Sequence, residues 1–219
     1  SVMNYPWRDA IIRFVKHKDA RQFSLALLEL LENYPKPALD VLMNLLSSHD
    51  TERILTILAF DRPEEFPVEK RPDYKLTASE YQLAKERFFV ASFIQFTLPG
   101  VPCIYYGDEI GMYGFRDPYN RMPFKFNEKD DEVLAFYQEL TNFRHQHQED
   151  FKADCDIIKV TDGCIAYKRG KLLCIINLDD SAHFIANYSG DSLYQKGEFY
   201  PTPHGIVVGP NSFGAIELA

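Results

Sequence analysis

The sequence predicts an α/β fold followed by a small antiparallel β-sandwich, and two patterns in the chain predict it. Up to about residue 148, long stretches with apolar residues at helical spacing alternate with short apolar runs. Beyond residue 150, short apolar segments follow one another between turns rich in Gly, Asp and Asn. Strands that alternate with long helices form parallel sheets through right-handed crossovers. We therefore expect two domains, over residues 1–150 and 151–219.

The first predicted domain contains about three strand–helix units. A complete (β/α)8 barrel needs eight such units and usually about 200–250 residues, so these residues fit a piece of a barrel or an unusual open sheet. Thr77 and Glu80 form a capping box at the start of the longest helix. The expected strands cover 2–5, 41–46 and 101–106, the last two buried, and the helices 7–15, 20–32, 51–59, 78–98 and 131–147.

The second predicted domain consists of short strands. Asp162-Gly163 and Arg169-Gly170 are turn signals between apolar runs. We expect strands over 157–160, 164–168, 172–178, 183–188, 205–208 and 213–218.

Composition narrows the class of protein. Hydrophobic residues make up 46% of the 219 residues, enough for a large core, and the net charge of -8 argues against binding to duplex nucleic acid. No apolar run reaches the roughly 20 residues of a membrane helix. The first residues lack the pattern of a signal peptide, although a start on Ser rather than Met leaves export of the parent protein open. Aromatic residues reach 14%, which suits either a large aromatic core or platforms for sugar rings.

The cysteines favour a cytoplasmic protein with reduced, buried thiols. They form no CxxC pair and lie in separate strand-like stretches, at Cys103, Cys155, Cys164 and Cys174. We expect no disulfide framework, no metal site and no cofactor.

Polar residues follow each predicted strand of the first domain. In parallel α/β barrels, function gathers at these carboxyl ends. His49 and Asp50 follow a fully apolar strand, where a carboxylate can stabilise an electron-poor centre and an imidazole can bond a hydroxyl. Asp50 also suits the cap of a helix starting near Thr51. Asp108 and Glu109 are adjacent, so they are no ready catalytic pair, and we expect solvated or hydrogen-bonded loop acids.

Four segments resemble the α-amylase family, glycoside hydrolase family 13. LLSSHDTERILT (45–56) is similar to the fourth conserved region of that family, although Ser48 stands where the family has Asn. LPGVPCIYYGDEIGMYGFRDPYNRMPF (98–124) resembles strand eight and its loop, SVMNYPWRDAI (1–11) the sixth-strand segment, and FYQELTNFR (136–144) the last barrel helix. The DPxxR spacing is typical of the cyclomaltodextrinase and neopullulanase group. The resemblance implies the last three β/α units of a TIM barrel followed by the family's small all-β C-terminal domain.

The resemblance also implies roles for particular residues. Asp50 would be the catalytic acid that stabilises the transition state, and His49 would bond hydroxyls of the sugar being cleaved. Asp117 and Arg121 would contact a neighbouring glucose, although from the residues alone they are equally an ordinary loop ion pair. The family's nucleophile and acid/base lie after strands four and five, and no segment here resembles either.

We therefore expect part of a retaining enzyme that acts on maltooligosaccharides or related α-glucans and is inactive alone. The alternative is a non-catalytic, amylase-like binding module. Three barrel strands would leave unpaired edges, so we also expect self-association or pairing with the missing N-terminal part of the barrel.

Overall fold

The computed structural model describes residues 2–218. The chain begins with two antiparallel helices, α1 (Tyr5–His17) and α2 (Ala20–Asn33), followed by the short α3 (Lys36–Leu39). The side chains of Asn4 and Asp19 cap α1 and α2 by accepting hydrogen bonds from backbone N–H groups. The Phe14 and Phe23 rings stack at 5.0 Å between the two helices. Both helices therefore lie where the spacing of apolar residues predicted them.

Residues 2–150 contain two short parallel strands. Strand β1 (Met43–Leu45) pairs with β2 (Val101–Cys103), with Leu45 opposite Cys103. The strand expected over residues 2–5 is reduced to a single parallel bridge between Met3 and Met43, because α1 already starts at Tyr5.

The strand expected over residues 101–106 is present only at Val101–Cys103, and the expectation that it is buried is wrong. Val101 is 53% exposed, Ile104 39% and Tyr106 38%. Within residues 2–218, β2 pairs with β1 alone, so its other edge has no strand beside it. Apolar side chains that would be covered in a wider sheet therefore face the solvent.

Three further helices follow, namely α4 (Ile54–Ala59), α5 (Ala78–Thr97) and α6 (Asp131–Gln146). Helix α5 packs against both strands, and α4 and α6 pack against α5. The Thr77–Glu80 capping box is present at the start of α5, as predicted. Helix α4 begins later than expected, and the alternative that Asp50 caps it is wrong. Its cap residue is Arg53, and the Ser47 hydroxyl accepts the hydrogen bond from the Ile54 N–H.

The remainder of the chain, residues 151–218, is β-rich, and we call it the β-rich region; residues 2–150 are the helical region. The strands of the β-rich region are β3 (Cys155–Val160), β4 (Cys164–Arg169), β5 (Leu172–Asn177), β6 (His183–Ala186), β7 (Gly190–Lys196), β8 (Phe199–Thr202), β9 (Gly205–Val208) and β10 (Ser212–Leu218). They form a five-stranded sheet in the order β3-β4-β5-β10-β7 and a three-stranded sheet in the order β6-β9-β8, with antiparallel pairs throughout. Strands β7 and β8 were not predicted from the sequence.

Two hydrophobic clusters form the core. The larger one runs across both regions, with Phe93 of α5 stacked on Tyr194 of β7 at 5.7 Å and beside Phe213 of β10. The smaller one lies between the two sheets and includes Ile185 and Ile206. Most of the aromatic residues therefore pack in the core. The larger cluster contains residues from both regions, so the core is continuous across residue 150.

The four cysteines are free thiols. Cys164 and Cys174 are buried, while Cys103 and Cys155 are half-buried. Burial raises the pKa of Cys155, Cys164 and Cys174 to about 12, so these thiols stay protonated at neutral pH. No helix among residues 2–218 is long and apolar enough to cross a membrane.

Candidate active site

His49 and Asp50 lie together at the carboxyl end of β1. Ser47 and Ser48, which follow the strand, are buried, whereas His49 and Asp50 point outward with side chains 58% and 60% exposed. The His49 Nε2 lies 3.3 Å from Asp50 Oδ2. A substrate can therefore reach both groups from the same side. We call residues 47–51 the His49 loop.

Asp117 and Arg121 lie beside this pair, on the long connection after β2. Arg121 Nε is 3.2 Å from Asp117 Oδ1, and Arg121 Nη2 is 4.0 Å from Asp50 Oδ1. All these side chains are about half exposed, so solvent weakens the ion pairs and they contribute little to folding. The structure thus brings the four residues selected from the sequence into one accessible cluster.

The connection that carries Asp117 and Arg121 also holds the backbone of the His49 loop. Residues 116–121, which we call the Arg121 loop, end in a 3₁₀ turn, Tyr119–Arg121. Asn120 is fully buried and donates hydrogen bonds to carbonyl oxygens of the His49 loop. Asn120 was not predicted from the sequence, although it lies inside the DPxxR segment, because its contacts are about 70 residues away along the chain.

The His49 loop is also fixed through Ser48. The Ser48 Oγ lies 3.1 Å from the Tyr5 hydroxyl and accepts a hydrogen bond from the Asp50 N–H at 3.2 Å. The Thr51 hydroxyl accepts the Ser48 N–H at 3.2 Å. A serine at this position is therefore an integral part of the loop's hydrogen bonding.

A buried ion pair lies beneath the cluster. Arg53 Nη1 is 3.3 Å from Asp108 Oδ1 and donates to the Tyr106 carbonyl at 2.7 Å. The guanidinium carbon lies 4.8 Å from the ring centroids of both Tyr105 and Tyr106. Arg53 is fully buried and two of its nitrogens, Nε and Nη2, have no hydrogen-bond partner.

Of the two alternatives that the sequence left for Asp108, a solvated or a hydrogen-bonded loop acid, the structure shows the second, because Arg53 donates to its carboxylate. The Asp108 side chain is 2% exposed, and burial raises its pKa to about 7, although the Ser47 hydroxyl and Arg53 act in the opposite direction. Gly107 makes the turn into this buried position with φ of 89°, and a Cβ there would lie 2.5 Å from the Met112 sulfur. Asp108 therefore belongs to the support of the cluster rather than to its accessible surface.

The cluster can bind a polyhydroxylated ligand and stabilise positive charge. An exposed imidazole and a guanidinium can donate hydrogen bonds to hydroxyl oxygens, and the carboxylates of Asp50 and Asp117 can accept from hydroxyls. Asp50 can in addition stabilise a cationic centre held against it. In the described part of the chain, no three His, Cys, Asp or Glu side chains are grouped so that they could hold a metal ion.

The family model for the catalytic domain of alpha amylase matches residues 1–142. The chain therefore belongs to the α-amylase family of glycosidases, as the four segments suggested.

Relatives with assigned names point to the same family. The chain is 33% identical over 200 residues to a cyclomaltodextrinase of a Bacillus species, covering 87% of this chain and 32% of the relative. It is 37% identical over 150 residues to neopullulanase 2 of Thermoactinomyces vulgaris, covering 67% of this chain and 22% of that enzyme. Among solved structures, a cyclomaltodextrinase aligns with a TM-score of 0.74 and 26% identity over 98% of this chain and 36% of its own. The chain thus spans about a third or less of the length of these relatives.

Proposed function

We propose that the chain is the C-terminal portion of a retaining α-glucoside hydrolase or transglycosidase that acts on maltooligosaccharides or related α-glucans. The observation that carries the proposal is the accessible cluster of His49, Asp50, Asp117 and Arg121 at the end of β1. Family membership and the names of the relatives support the substrate class.

Within this proposal, the helical region is the last three β/α units of a TIM barrel, residues 1–150, and residues 151–219 form the C-terminal β-domain. The Met3 bridge, β1 and β2 would be barrel strands six, seven and eight. Their parallel pairing and the helices around them support this assignment.

Asp50 would act as the third acid of a double displacement. As positive charge develops on the sugar, the Asp50 carboxylate would stabilise the oxocarbenium-like transition state, while His49 bonds the hydroxyls of that sugar. Asp117 and Arg121 would hold the next glucose. Retaining glycosidases need two further carboxylates about 5 Å apart, and no segment of this chain resembles the motifs that supply them.

The missing carboxylates would come from the N-terminal part of the barrel, which is the partner we propose for the open edge of β2. Val101, Ile104 and Tyr106 are the exposed apolar side chains there. A further strand pairing with this edge would cover them, and self-association of the chain would serve the same purpose.

The parent protein would work in the cytoplasm, where free thiols such as those found here persist.

The first experiment tests activity. Purified residues 1–219 should release no reducing sugar from maltotriose above a buffer blank, because a single acid cannot complete double displacement. Turnover that Asp50→Asn abolishes would overturn the proposal that the chain is inactive alone.

The alternative function is a non-catalytic, amylase-like module that binds α-glucan or another partner. It is favoured by the same absence of resemblance to the nucleophile and acid/base motifs. Co-expressing the chain with the N-terminal part of a cyclomaltodextrinase barrel separates the two functions. Under the enzyme proposal, activity appears in the mixture and is lost with Asp50→Asn. Under the alternative, maltohexaose binds to the chain but the mixture stays inactive.

A further inference from the structure

Side chains of the Arg121 loop hydrogen-bond to four consecutive carbonyl groups of the His49 loop. These carbonyls belong to Ser48, His49, Asp50 and Thr51, and the donors are Arg116, Asn120 and Arg121. A loop that ends a strand normally leaves such groups to solvent, where they restrain nothing. Here the carbonyl oxygens of four consecutive residues, 48–51, all lie within hydrogen-bond distance of a side-chain donor.

Asn120 is the centre of this arrangement. Its Nδ2 lies 2.7 Å from the Thr51 carbonyl oxygen, 2.9 Å from that of His49 and 3.3 Å from that of Ser48. The side chain has no exposed surface. Because water cannot replace these bonds at a buried site, losing them would release the loop.

The two arginines complete the arrangement from the surface. Arg116 Nε donates to the Asp50 carbonyl at 3.1 Å, and Arg121 Nε donates to the His49 carbonyl at 3.1 Å. Arg116 is exposed, so its single bond is weaker than those of the buried amide. Arg121 also contacts Asp117 and lies within the proposed sugar site, which makes it unsuitable for a test of positioning alone.

We infer that Asn120 is a positioning residue, which sets the orientation of His49 and Asp50 without touching the sugar. What those two residues do to a sugar rests on the proposed function, whereas their placement by Asn120 does not. Catalytic and binding groups must be held within about 0.5 Å of their working positions. A buried amide that fixes the backbone on both sides of Asp50 meets that requirement.

The β-rich region offers a matched control. Asn177 is also fully buried, and its Nδ2 donates to the carbonyl oxygens of Ser181, Val208 and Gly209 at 2.9, 3.1 and 2.8 Å. Asn120→Leu and Asn177→Leu each remove a buried amide that donates to backbone carbonyls, one beneath the proposed site and one far from it in the fold. Asn177→Leu also removes the acceptor of the Asp179 N–H, so the control variant loses at least as many hydrogen bonds. A loss of overall stability should appear in both variants.

The test measures amide hydrogen exchange by NMR, with the N–H groups of Ser48, Asp50 and Thr51 as reporters. In Asn120→Leu these amides should exchange about tenfold faster or more than in the parent chain, while in Asn177→Leu they should not change. Nuclear Overhauser contacts between the His49 ring and the Asp50 β-protons should weaken in the first variant alone. Unchanged exchange and contacts in Asn120→Leu would overturn the inference.

Sugar binding supplies the second measurement. Maltohexaose titrated into the parent chain should shift the His49 and Asp50 signals, and Asn120→Leu should weaken this binding about tenfold, against less than about twofold for Asn177→Leu. If the parent chain does not respond to maltohexaose, the binding-module alternative fails and the exchange experiment still decides the role of Asn120. Equal weakening in both asparagine variants would show a general effect of stability and contradict the inference.

A surface variant covers the case in which Asn120→Leu does not fold. Arg116→Gln removes the bond to the Asp50 carbonyl without opening the core. Exchange of the Asp50 and Thr51 amides should rise about two- to threefold. No change there would contradict the role of the Arg121 loop.

Discussion

The two regions of the molecule bury their strands to different extents. In the β-rich region eight strands pair into sheets of five and three, and residues such as Ile175 and Ile206 are almost fully buried between them. In the helical region β1 and β2 are three residues each, and Val101 remains 53% exposed beside an unpaired edge. The comparison teaches that the two sheets of the β-rich region cover one another's inner faces, whereas β2 keeps an open edge whose apolar side chains face the solvent.

The largest expected effect concerns Asp108, the buried carboxyl group beneath the proposed site. The pKa of Asp108 is about 7 in the folded chain, against 3.8 for an ordinary Asp. Because the folded state binds this proton more tightly, the free energy of unfolding should fall as pH rises from about 4 to about 7, by up to about 4 kcal/mol, and then stay constant.

Urea unfolding at about pH 4.5 and about pH 7.5 measures this difference. Asp108→Asn should remove most of it, while Asp156→Asn, at an exposed position of β3, should leave it intact. If the free energy of unfolding of Asp108→Asn differed between the two pH values as much as that of the parent chain, the pH-sensitive group would be another residue.

The next effect compares core and edge directly. Ile175→Ala should lower the free energy of unfolding by about 3 kcal/mol, since it opens a cavity between the two sheets. Val101→Ala should change it by less than about 0.5 kcal/mol, because the side chain is largely in solvent. Urea denaturation of the two variants gives both numbers. A cost at Val101 near that at Ile175, rising with protein concentration, would show that a second copy covers the edge.

The smallest expected effect concerns the capping box at the start of α5. Thr77→Ala removes half of the capping box of α5 and should cost about 1 kcal/mol. Thr141→Ala, at an exposed position within α6, should cost nothing, because alanine favours the helix. Thermal unfolding followed by circular dichroism compares them. If both variants matched the parent chain, the cap would contribute nothing measurable.

The helices could be predicted from the sequence because their signals are local. The capping box at Thr77 and Glu80 and the apolar spacing within 20–32 lie inside the elements that they define. The strands over residues 190–196 and 199–202 were missed because they carry charged residues and Pro201, and their pairing with β10 and β9 is not visible in their own residues.

The site could be predicted in part for the same reason. His49 and Asp50 follow an apolar run, and Asp117 and Arg121 are recognisable by their spacing, so the sequence selected the four residues that the structure brings together. Asn120 gave no such signal, and Asp108 was recognisable only as a loop acid at the end of a strand. Their roles depend on contacts with residues 48–53, which lie more than 50 positions earlier in the chain.

Arg169 bears on any attempt to separate the two regions. This fully buried guanidinium of β4 donates to the carbonyl oxygens of Thr97, at the end of α5, and of Phe151 and Ala153. Expressing residues 151–219 alone would remove the Thr97 acceptor and the helix that shields the charge from water. The excised piece would then have to hydrate a cation at the end of β4, and we expect the sheet to open there first.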